Sequence, residues 1–206
     1  MEEYLQINLN NLMQELGENK TKSILSNFEC RKNSDVEDFI RNKAIEFDKR
    51  GFAKTYLIFF NDSNGGIRLV GYFSLANKPF YINSSGLTSN MKRKINTYGT
   101  YDVALKKYIV PAILIGQFAK NHHCRYNTLI SGDELMKMAI QKVVDIQDQI
   151  GGHFVYVECE KEEKVIKFYE SHGFVIFGER ECGDRNESKT KKLIQLLKYT
   201  KQRKNL

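Results

Sequence analysis

Apolar residues in the first fifty positions switch between the spacing of strands and the spacing of helices. A short strand is predicted over residues 4–7, followed by an amphipathic helix that ends at Gly17, a residue type common just after helices. Residues 23–30 predict a second strand. Ser34 and Glu37 have the Ser-x-x-Glu spacing of a capping box, which predicts that a longer helix begins there.

The next part of the chain contains one clear hairpin and one poorly patterned segment. Two apolar runs, residues 55–60 and 67–76, are separated by a turn rich in Asn, Asp and Gly, and they predict the β-hairpin. Residues 77–107 have no clear pattern and include a basic Lys-Arg-Lys cluster at residues 92–94. Two interpretations stay open: a loop that closes over a ligand or partner, or a segment with a short helix near residues 89–96.

The most strongly patterned stretch is Val110–Ile150. Its apolar first part begins at Pro111 and predicts a buried strand, because a proline at the start of a strand interrupts no hydrogen-bond ladder. A polar, basic loop follows. Ser131 and Glu134 then have the spacing of a capping box, and the apolar residues after them recur every three or four positions. This predicts a helix that packs through one face.

The last third of the chain continues the alternation of strand and helix. Residues 153–160 predict a strand, residues 162–171 a helix, and residues 175–177 the start of another strand. Residues 193–199 alternate poorly, so periodicity alone allows either a strand or a helix.

Length and composition indicate a folded protein. Of the 206 residues, 41% are hydrophobic and 12% aromatic, which is enough for a substantial core. We expect one domain over residues 1–206, with an N-terminal extension at residues 1–22 and a basic tail at residues 200–206. No apolar run reaches the roughly 18 residues of a membrane span. The first residues also lack the basic and apolar regions of a signal peptide.

Cysteine spacing and net charge narrow the classes of ligand. The chain has four widely spaced cysteines, Cys30, Cys124, Cys159 and Cys182. They form no Cys-x-x-Cys pair, so we expect reduced thiols in a cytoplasmic protein.

The neighbours His122 and His123 point apart and have no other ligand at metal-binding spacing, so no metal is expected. The net charge of +7 favours anionic ligands, either a phosphorylated cofactor or a nucleic acid.

The strand, the basic loop and the start of the helix together suggest an anion-binding site. The first amides of a helix have no internal partner and lie at the positive end of its dipole. Gly132 has no Cβ, so a phosphate can approach the backbone, and Lys120 and Arg125 would add positive field. An ordinary capped helix after a strand explains the same residues, so both interpretations stay open.

This stretch resembles the first motif of the GNAT N-acetyltransferases, in which a strand is followed by Gln/Arg-x-x-Gly-x-Gly/Ala. Asn127 takes the Gln/Arg position, Ile130 the first glycine position and Gly132 the second, so only Gly132 is kept. In the family, amides of this motif bind the pyrophosphate of acetyl-CoA. The resemblance implies a set of cofactor-binding residues: Phe118, Ala119, Lys120, Arg125, Asn127, Thr128, Leu129, Ile130, Ser131, Gly132, Asp133, Glu162 and Tyr169.

Residues 165–174 resemble the second GNAT motif, Ala-x-x-Phe/Leu-Tyr-x-x-x-Gly-Phe. The match implies that Tyr169 protonates the sulfur of the departing coenzyme A, since a phenol with an ordinary pKa of about 10 is protonated at neutral pH. A core tyrosine on the apolar helix face is the alternative. The family's usual asparagine seven residues earlier is Glu162 here. Glu158 or Glu160 is a candidate for the group that takes the amine's proton, and solvated strand ends explain both equally well.

Further segments between Phe28 and Phe174 are similar, in order, to one GNAT subgroup that includes toxins acetylating aminoacyl-tRNA. The resemblance implies a mixed α/β fold with a single central, mostly antiparallel sheet, a splayed parallel strand pair, and helices on both faces. It implies a last strand over residues 193–199. It also implies that the strand ending at residues 118–120 bulges and offers an N–H to the thioester carbonyl.

These features predict an acetyl-CoA-dependent N-acetyltransferase that transfers acetyl directly to a primary amine. The acceptor is left open between a small molecule, a protein and aminoacyl-tRNA. A non-catalytic GNAT module that binds coenzyme A or a partner is the second class of function. We expect no membrane association, and a homodimer is a further hypothesis.

Overall fold

The computed structural model describes residues 3–62, 65–83, 85, 87–182 and 191–200. The chain forms two compact units, one from Met1–Ala76 and Gly116–Ile140, the other from Asn77–Ile115 and Gln141–Leu206. Two strands, Ile67–Asn77 and Ile113–Lys120, and one helix, Gly132–Ile150, contain residues of both units, and the single domain stays a prediction. The predicted basic tail beyond Thr200 lies outside the described residues.

The first unit combines helices with the first strands of the sheet. It begins with β1 (Glu3–Asn8), α1 (Leu9–Leu16) and α2 (Glu18–Ser26). A broken helix follows, made of α3 (Ser34–Asp38), a π-helical turn (Phe39–Lys43) and α4 (Ala44–Lys49). The antiparallel hairpin is β2 (Lys54–Asn61) with β3 (Ile67–Asn77), and β1 pairs with β2. The unit ends with part of β7 (Ile113–Lys120), a 3-10 turn (His123–Thr128) and part of α6 (Gly132–Ile150).

The strand predicted over residues 23–30 is wrong, because most of this segment belongs to or follows helix α2. Thr21, Leu25 and Phe28 are fully buried and recur at spacings of four and three, which is the periodicity of a helix. The predicted segment, residues 23–30, does not include Thr21. The helical spacing of the buried residues is therefore not apparent from that segment alone.

The capping box predicted at Ser34 is also wrong. Asn33 caps α3, and its side-chain oxygen accepts the amide of Asp35 at 3.0 Å. The carboxylate of Glu37 accepts the amide of Cys30 at 2.7 Å instead. Glu37 therefore ties the helix to the segment in front of it rather than closing its own first turn.

Tyr72 of β3 lies in the core between the sheet and the helices of the first unit. Its fully buried ring meets Phe28 edge-on, with 5.1 Å between ring centroids, and stacks on Phe39 at 6.4 Å. Its hydroxyl donates to the carbonyl oxygen of Val36 at 2.6 Å. A buried ring with a satisfied hydroxyl holds the broken helix on this face of the sheet.

On the opposite face, Gly71 lets helix α6 approach the sheet. A Cβ at this position would lie 3.0 Å from the carbonyl oxygen of Ala119 and 3.2 Å from a methyl carbon of Leu135. Successive strand residues face opposite sides. Gly71 and Tyr72 therefore place helices on both faces of the sheet, as predicted.

Asn121, directly after β7, joins three backbone segments of the first unit. Its side-chain oxygen accepts the amides of Glu29 and His123, both at 3.0 Å, and its side-chain nitrogen donates to the carbonyl oxygen of Leu69 at 2.8 Å. The backbone amide of Asn121 donates to the carbonyl oxygen of Val70 at 2.8 Å. Asn121 is only 2% exposed, so these buried hydrogen bonds fix where β7 ends.

The second unit contains two sheets. The small antiparallel sheet has the order β4 (Phe80–Ile82), β6 (Lys107–Val110), β5 (Thr100–Asp102), and it accompanies helix α5 (Ser89–Tyr98). The larger sheet contains β8 (Phe154–Glu160), β9 (Val175–Cys182) and β10 (Lys191–Tyr199), with α7 (Glu163–Ser171) between β8 and β9. Ile113–Ile115 of β7 pair in parallel with Val155–Val157, and β10 pairs antiparallel with both β8 and β9.

The predicted fold class is confirmed. The strand order is β1-β2-β3-β7-β8-β10-β9, in which β7 and β8 are parallel and the pairs β1–β2, β2–β3, β8–β10 and β10–β9 are antiparallel. The strand implied by resemblance over residues 193–199 is confirmed as part of β10. Of the two interpretations left open for residues 77–107, the structure contains the short helix near residues 89–96, which is α5, and short strands flank it.

Removal of the Asn121 side chain should destabilise the protein. Asn121→Ala leaves two amides and one carbonyl of the buried network without their partner, and an unsatisfied buried group costs about 1–3 kcal/mol. We expect the free energy of unfolding to fall by about 3 kcal/mol in urea titrations. Asn96→Ala, at an exposed position of α5, is the matched control. Equal stability of the two variants would show that the network contributes nothing.

Candidate active site

Strand β7 leads into helix α6 through a tight turn in the first unit. Cys124 and Arg125 have φ angles of 45° and 61°, in the left-handed region. Residues with a Cβ adopt it at a cost of roughly 1–2 kcal/mol each. The hydroxyl of Thr128 donates to the carbonyl oxygen of Arg125 at 2.9 Å. The turn is therefore held in a costly conformation by specific contacts.

The ammonium group of Lys120 provides the main contacts. Its Nζ donates to the carbonyl oxygens of Asn127 at 2.9 Å and Ile130 at 3.1 Å. The hydroxyl of Tyr4 donates to the next carbonyl, that of Leu129, at 2.7 Å. Lys120 thus brings a positive charge to the turn and directs it at carbonyl oxygens of the protein, and its predicted role beside a phosphate stays a prediction.

Three backbone amides at the start of α6 already have acceptors. The amide of Leu129 donates to the carbonyl oxygen of Tyr126 at 3.0 Å. The predicted capping box is confirmed: the amide of Ser131 donates to Glu134 Oε2 at 2.8 Å, and the amide of Glu134 donates to Ser131 Oγ at 3.0 Å. The amide of Gly132 has no partner within its helix, as for any first helical residue.

Charge at this helix start has both signs. Hydrogen bonds from Ser131, first from its amide and then from its hydroxyl, lower the pKa of Glu134, so the carboxylate stays ionised at neutral pH. Asp133 also lies in the first turn. Both carboxylates interact favourably with the helix dipole and so offset part of its positive potential.

In the second unit, strand β8 has one edge that is only partly used. β10 pairs with β8 along its whole length, whereas the parallel partner β7 pairs only with Val155–Val157. At Glu158 and Cys159, the registers of the described residues therefore give β8 a strand partner on one side alone. A short extended chain with amide groups has the hydrogen-bonding pattern to pair with the other side.

Tyr169 lies near the end of helix α7 and is 8% exposed. Its ring packs against Phe168 and Phe174, with 5.5 and 5.7 Å between ring centroids. Burial, and secondarily the neighbouring Cys159, raise the pKa of Tyr169 well above its ordinary range. Burial likewise raises the pKa of Cys159 to about 11. Both groups are neutral at physiological pH.

Both carboxylate oxygens of Glu158 accept hydrogen bonds from neighbouring strands, and the side chain is mostly shielded from solvent. Arg180 of β9 donates to both of its oxygens, from Nε at 2.9 Å and from Nη2 at 2.6 Å. Gln195 of β10 donates to Oε1 at 2.7 Å. The Glu158 side chain is 13% exposed and that of Arg180 48% exposed, so the carboxylate lies beneath the guanidinium. No local sequence pattern points to Arg180, because the pairing across three strands depends on a register that only the structure gives.

Comparisons with known proteins give matches in structure alone. No protein-family model and no curated protein matches the chain by sequence. A tyrosine-to-phenylalanine mutant of KacT matches with a TM-score of 0.63 and 16% identity over 96% of this chain and 95% of that chain. AtaT complexed with acetyl-methionyl-tRNAfMet matches with a TM-score of 0.60 and 17% identity, over 93% and 94%. AtaTR bound with acetyl-CoA matches with a TM-score of 0.58 and 17% identity, over 96% and 93%.

AtaT is a toxin that was also solved with the C-terminus of its antitoxin AtaR. The chain has the same fold as these proteins, which is the GNAT fold that the sequence predicts. At these identities the likeness concerns the arrangement of the backbone, and the predicted GNAT family resemblance is confirmed at that level.

Within the GNAT fold, the predicted site residues lie in two separate groups. Most of the predicted cofactor residues, from Phe118 to Asp133, belong to the end of β7, the tight turn and the start of α6. Glu158 of β8, Glu162 between β8 and α7, and Tyr169 of α7 belong to the second unit. Glu162 is exposed and is the residue before α7, where its side chain makes no capping hydrogen bond.

The remaining composition-based predictions can be compared directly with the structure. All four cysteines are free thiols, with Cys30 and Cys159 buried and Cys124 and Cys182 exposed. In the described part of the chain, no cluster of three His, Cys, Asp or Glu side chains could hold a metal ion. Nor does any described helix have the length and apolar character needed to cross a bilayer.

Proposed function

We propose that the protein is an N-acetyltransferase that transfers acetyl from acetyl-CoA directly to a primary amine. The observation that carries this proposal is the buried, neutral phenol of Tyr169 on α7 of a GNAT fold. A structural neighbour, AtaTR, was solved bound with acetyl-CoA, and two other neighbours are tyrosine-to-phenylalanine mutants. They support acetyl-CoA as donor and a tyrosine as a functional residue.

The proposed reaction is a single displacement. The amine nitrogen attacks the thioester carbonyl carbon, the carbon–sulfur bond breaks, and the sulfur leaves as a thiolate that takes up one proton. The new amide nitrogen gives up one proton to a base or to water. The extended pantetheine arm of acetyl-CoA would pair with the open edge of β8 beside Glu158 and Cys159.

Tyr169 would act on the departing sulfur mainly as a hydrogen-bond donor. A thiol has an ordinary pKa of about 8.5, below that of the buried phenol, and each unit of difference makes full proton transfer about 1.4 kcal/mol less favourable. A developing thiolate still gains from a short hydrogen bond in a site from which water is excluded. The proton that the free thiolate finally takes up would then come from water, and Tyr169 would keep its own proton.

Glu158 would act as a general base only after release from Arg180. A carboxylate whose two oxygens accept from a guanidinium and an amide offers little capacity for another proton. Glu160, near the end of β8 and exposed, or a water molecule is the alternative acceptor of the proton. We therefore assign Glu158 the role of holding Arg180 and leave the base to Glu160 or water.

The aminoacyl end of a tRNA is the acceptor that the charge distribution favours. Residues 77–110 contain six basic residues and one acidic residue, and so contribute +5 of the net charge of +7. Tyr81 and Tyr101 in this segment are 50% and 51% exposed. Exposed aromatic rings among basic side chains are typical of surfaces that bind single-stranded nucleic acid. AtaT, a structural neighbour, was solved with acetyl-methionyl-tRNAfMet.

Binding of the pyrophosphate of acetyl-CoA should depend on the backbone at Gly132, the first residue of helix α6. Gly132→Val places a branched side chain where the phosphate would approach, and we expect affinity to fall about tenfold, the scale of one lost hydrogen bond to a charged group. Calorimetry with acetyl-CoA measures this. Ser34→Val, at the first residue of α3, is the control. Unchanged affinity in Gly132→Val would place the pyrophosphate elsewhere.

Neutralisation of the basic cluster on α5 should weaken RNA binding specifically. Replacement of Lys92, Arg93 and Lys94 by Gln removes up to three phosphate contacts, each contributing about 0.7 to the salt slope with single-stranded RNA. We expect the slope of log K against log[salt] to decrease by up to about 2 in filter binding with aminoacyl-tRNA. The control triple variant changes three exposed basic residues of the first unit to Gln: Lys20, Arg31 and Lys32. An unchanged slope would favour a small-molecule or protein acceptor.

Tyr169→Phe separates a catalytic role from a structural role. The ring and its packing remain, and if the hydroxyl acts on the leaving sulfur, kcat should fall by about 10²-fold or more. Acetyl-CoA affinity and thermal stability should change little. Tyr72→Phe is the matched control, because its buried hydroxyl donates to Val36, and it should lose about 1 kcal/mol of stability with kcat unchanged. Full turnover in Tyr169→Phe would make Tyr169 a core residue, and absence of turnover in the wild type would favour a non-catalytic module.

A further inference from the structure

The C-terminal end of helix α5 packs on two aromatic rings of the second unit, one just before β8 and one at the end of β10. Tyr98 is the last residue of α5. Its ring centroid lies 4.0 Å from that of His153 and 6.0 Å from that of Tyr199. His153 also stacks on Tyr199, with 5.7 Å between ring centroids and 16° between the ring planes. The imidazole of His153 therefore joins α5 to the last strand of the larger sheet.

The backbone that carries this imidazole is fixed by buried hydrogen bonds. The amide of Thr200 donates to the carbonyl oxygen of His153 at 2.8 Å. Next to it, Gln147 Nε2 donates to the carbonyl oxygen of Phe154 at 3.0 Å. Gln147 and Thr200 are only 2% and 4% exposed. A change at the imidazole should therefore act on its ring neighbours rather than on its own backbone.

One nitrogen of the His153 ring has no hydrogen-bond partner among the described residues. This atom, Nδ1, is buried. A neutral imidazole can leave one of its two nitrogens as a bare acceptor, whereas an imidazolium has an N–H at both. Protonation of His153 would therefore place an N–H donor at a buried position that lacks an acceptor. Such an unpartnered donor is costly, and more so when it belongs to a charged group.

The described groups around His153 offer no negative charge to stabilise an imidazolium. Lys94 lies one turn before Tyr98 on α5, and its Nζ is 3.9 Å from the centroid of the Tyr199 ring. An ammonium group thus already uses the ring on which His153 stacks. A hydrogen bond with Tyr98, and secondarily burial, raise the pKa of the Tyr199 hydroxyl, which stays neutral at physiological pH.

We propose that His153 is a pH-sensitive contact that holds the C-terminal half of α5 while its imidazole is neutral and loosens it when protonated. Histidine side chains ordinarily change charge between about pH 5 and pH 8. A cation over a tyrosine ring gains about 2–5-fold in an equilibrium constant at exposed sites. A buried donor without a partner costs about 5–150-fold. The cost is the larger effect, so the packed state is favoured at the upper end of this range and is lost as the pH falls.

The device would change how the basic cluster on α5 is presented. Lys92, Arg93 and Lys94 all lie on this helix, and Lys94 is part of the contact itself. Ile95 is fully buried and its carbonyl oxygen accepts the amide of Gly99 at 2.8 Å, so protonation should loosen the helix end rather than unfold the segment. This inference rests on the ring geometry and does not require the proposed acetyltransferase activity.

Amide hydrogen exchange, expressed as protection factors so that the intrinsic effect of pH is removed, tests the contact. In the wild type, protection of the amides of residues 94–99 should fall about tenfold from about pH 7.5 to about pH 5.5, the scale of one unpartnered buried group. His153→Phe keeps an aromatic ring and cannot be protonated, so its protection should not change with pH. His172→Phe, which alters a histidine at the end of α7, is the matched control and should behave as the wild type. Unchanged protection in the wild type, or an equal fall in His153→Phe, would overturn the proposal.

NMR titration of the wild type tests the same contact without any substitution. The ring signals of Tyr98 should shift with the same midpoint as those of His153, because protonation separates the two rings. A His153 titration that leaves the Tyr98 signals unchanged would contradict the proposal. Binding of acetyl-CoA and turnover, measured on the same samples at neutral pH, report separately on the proposed function.

Discussion

The side chain of Asn121 is the point on which the arrangement of the first unit depends. Strand β7 and the segment before α3 are far apart in sequence, and the described contacts join them through hydrogen bonds at Asn121 and its neighbour His122. An apolar residue there would fill the space but would leave buried amides and a carbonyl without partners, at about 1–3 kcal/mol each. A fully satisfied polar network accepts one geometry only. The start of the turn that leads to α6 is therefore set by hydrogen bonds rather than by packing alone.

Most strands and the longer helices could be predicted because their apolar spacing extends over several residues, as in β2, β3 and α6. The failures lie where a contact distant in sequence decides the outcome. The sequence of helix α2 predicts a strand, because one of the residues on its buried face is Thr21, which is polar and so hides the helical spacing of the apolar residues. Glu37 has capping-box spacing, yet its carboxylate is used by the amide of Cys30. The pairing of Glu158 with Arg180 depends on the register of three strands, which no local pattern encodes.

Burial gives Tyr169 two properties that act in opposite directions. It keeps the phenol protonated, which any donor to a leaving group requires, and it also widens the gap by which a phenol is a weaker acid than a thiol. A strong acid is needed only where the leaving group is a poor one. A thiolate is a good leaving group, so a positioned hydrogen bond can supply much of the assistance. A pKa raised by burial is therefore compatible with the proposed role, whereas it would not suit a residue that must release its proton to water.

The start of α6 is well capped, so the proposed pyrophosphate contact there has to compete with the cap. Each amide at a helix start can donate once, and the capping box uses those of Ser131 and Glu134 for the stability of the helix itself. The carboxylate of Glu134 occupies a position that an anionic ligand would otherwise seek, held there by the same amide. A phosphate has more charge and more acceptor oxygens than a carboxylate, so it can compete for that amide, and the nearby Lys120 and Gly132 would favour the exchange. The affinity of such a site is the difference between two similar interactions, and for that reason the sequence of the loop alone does not determine it.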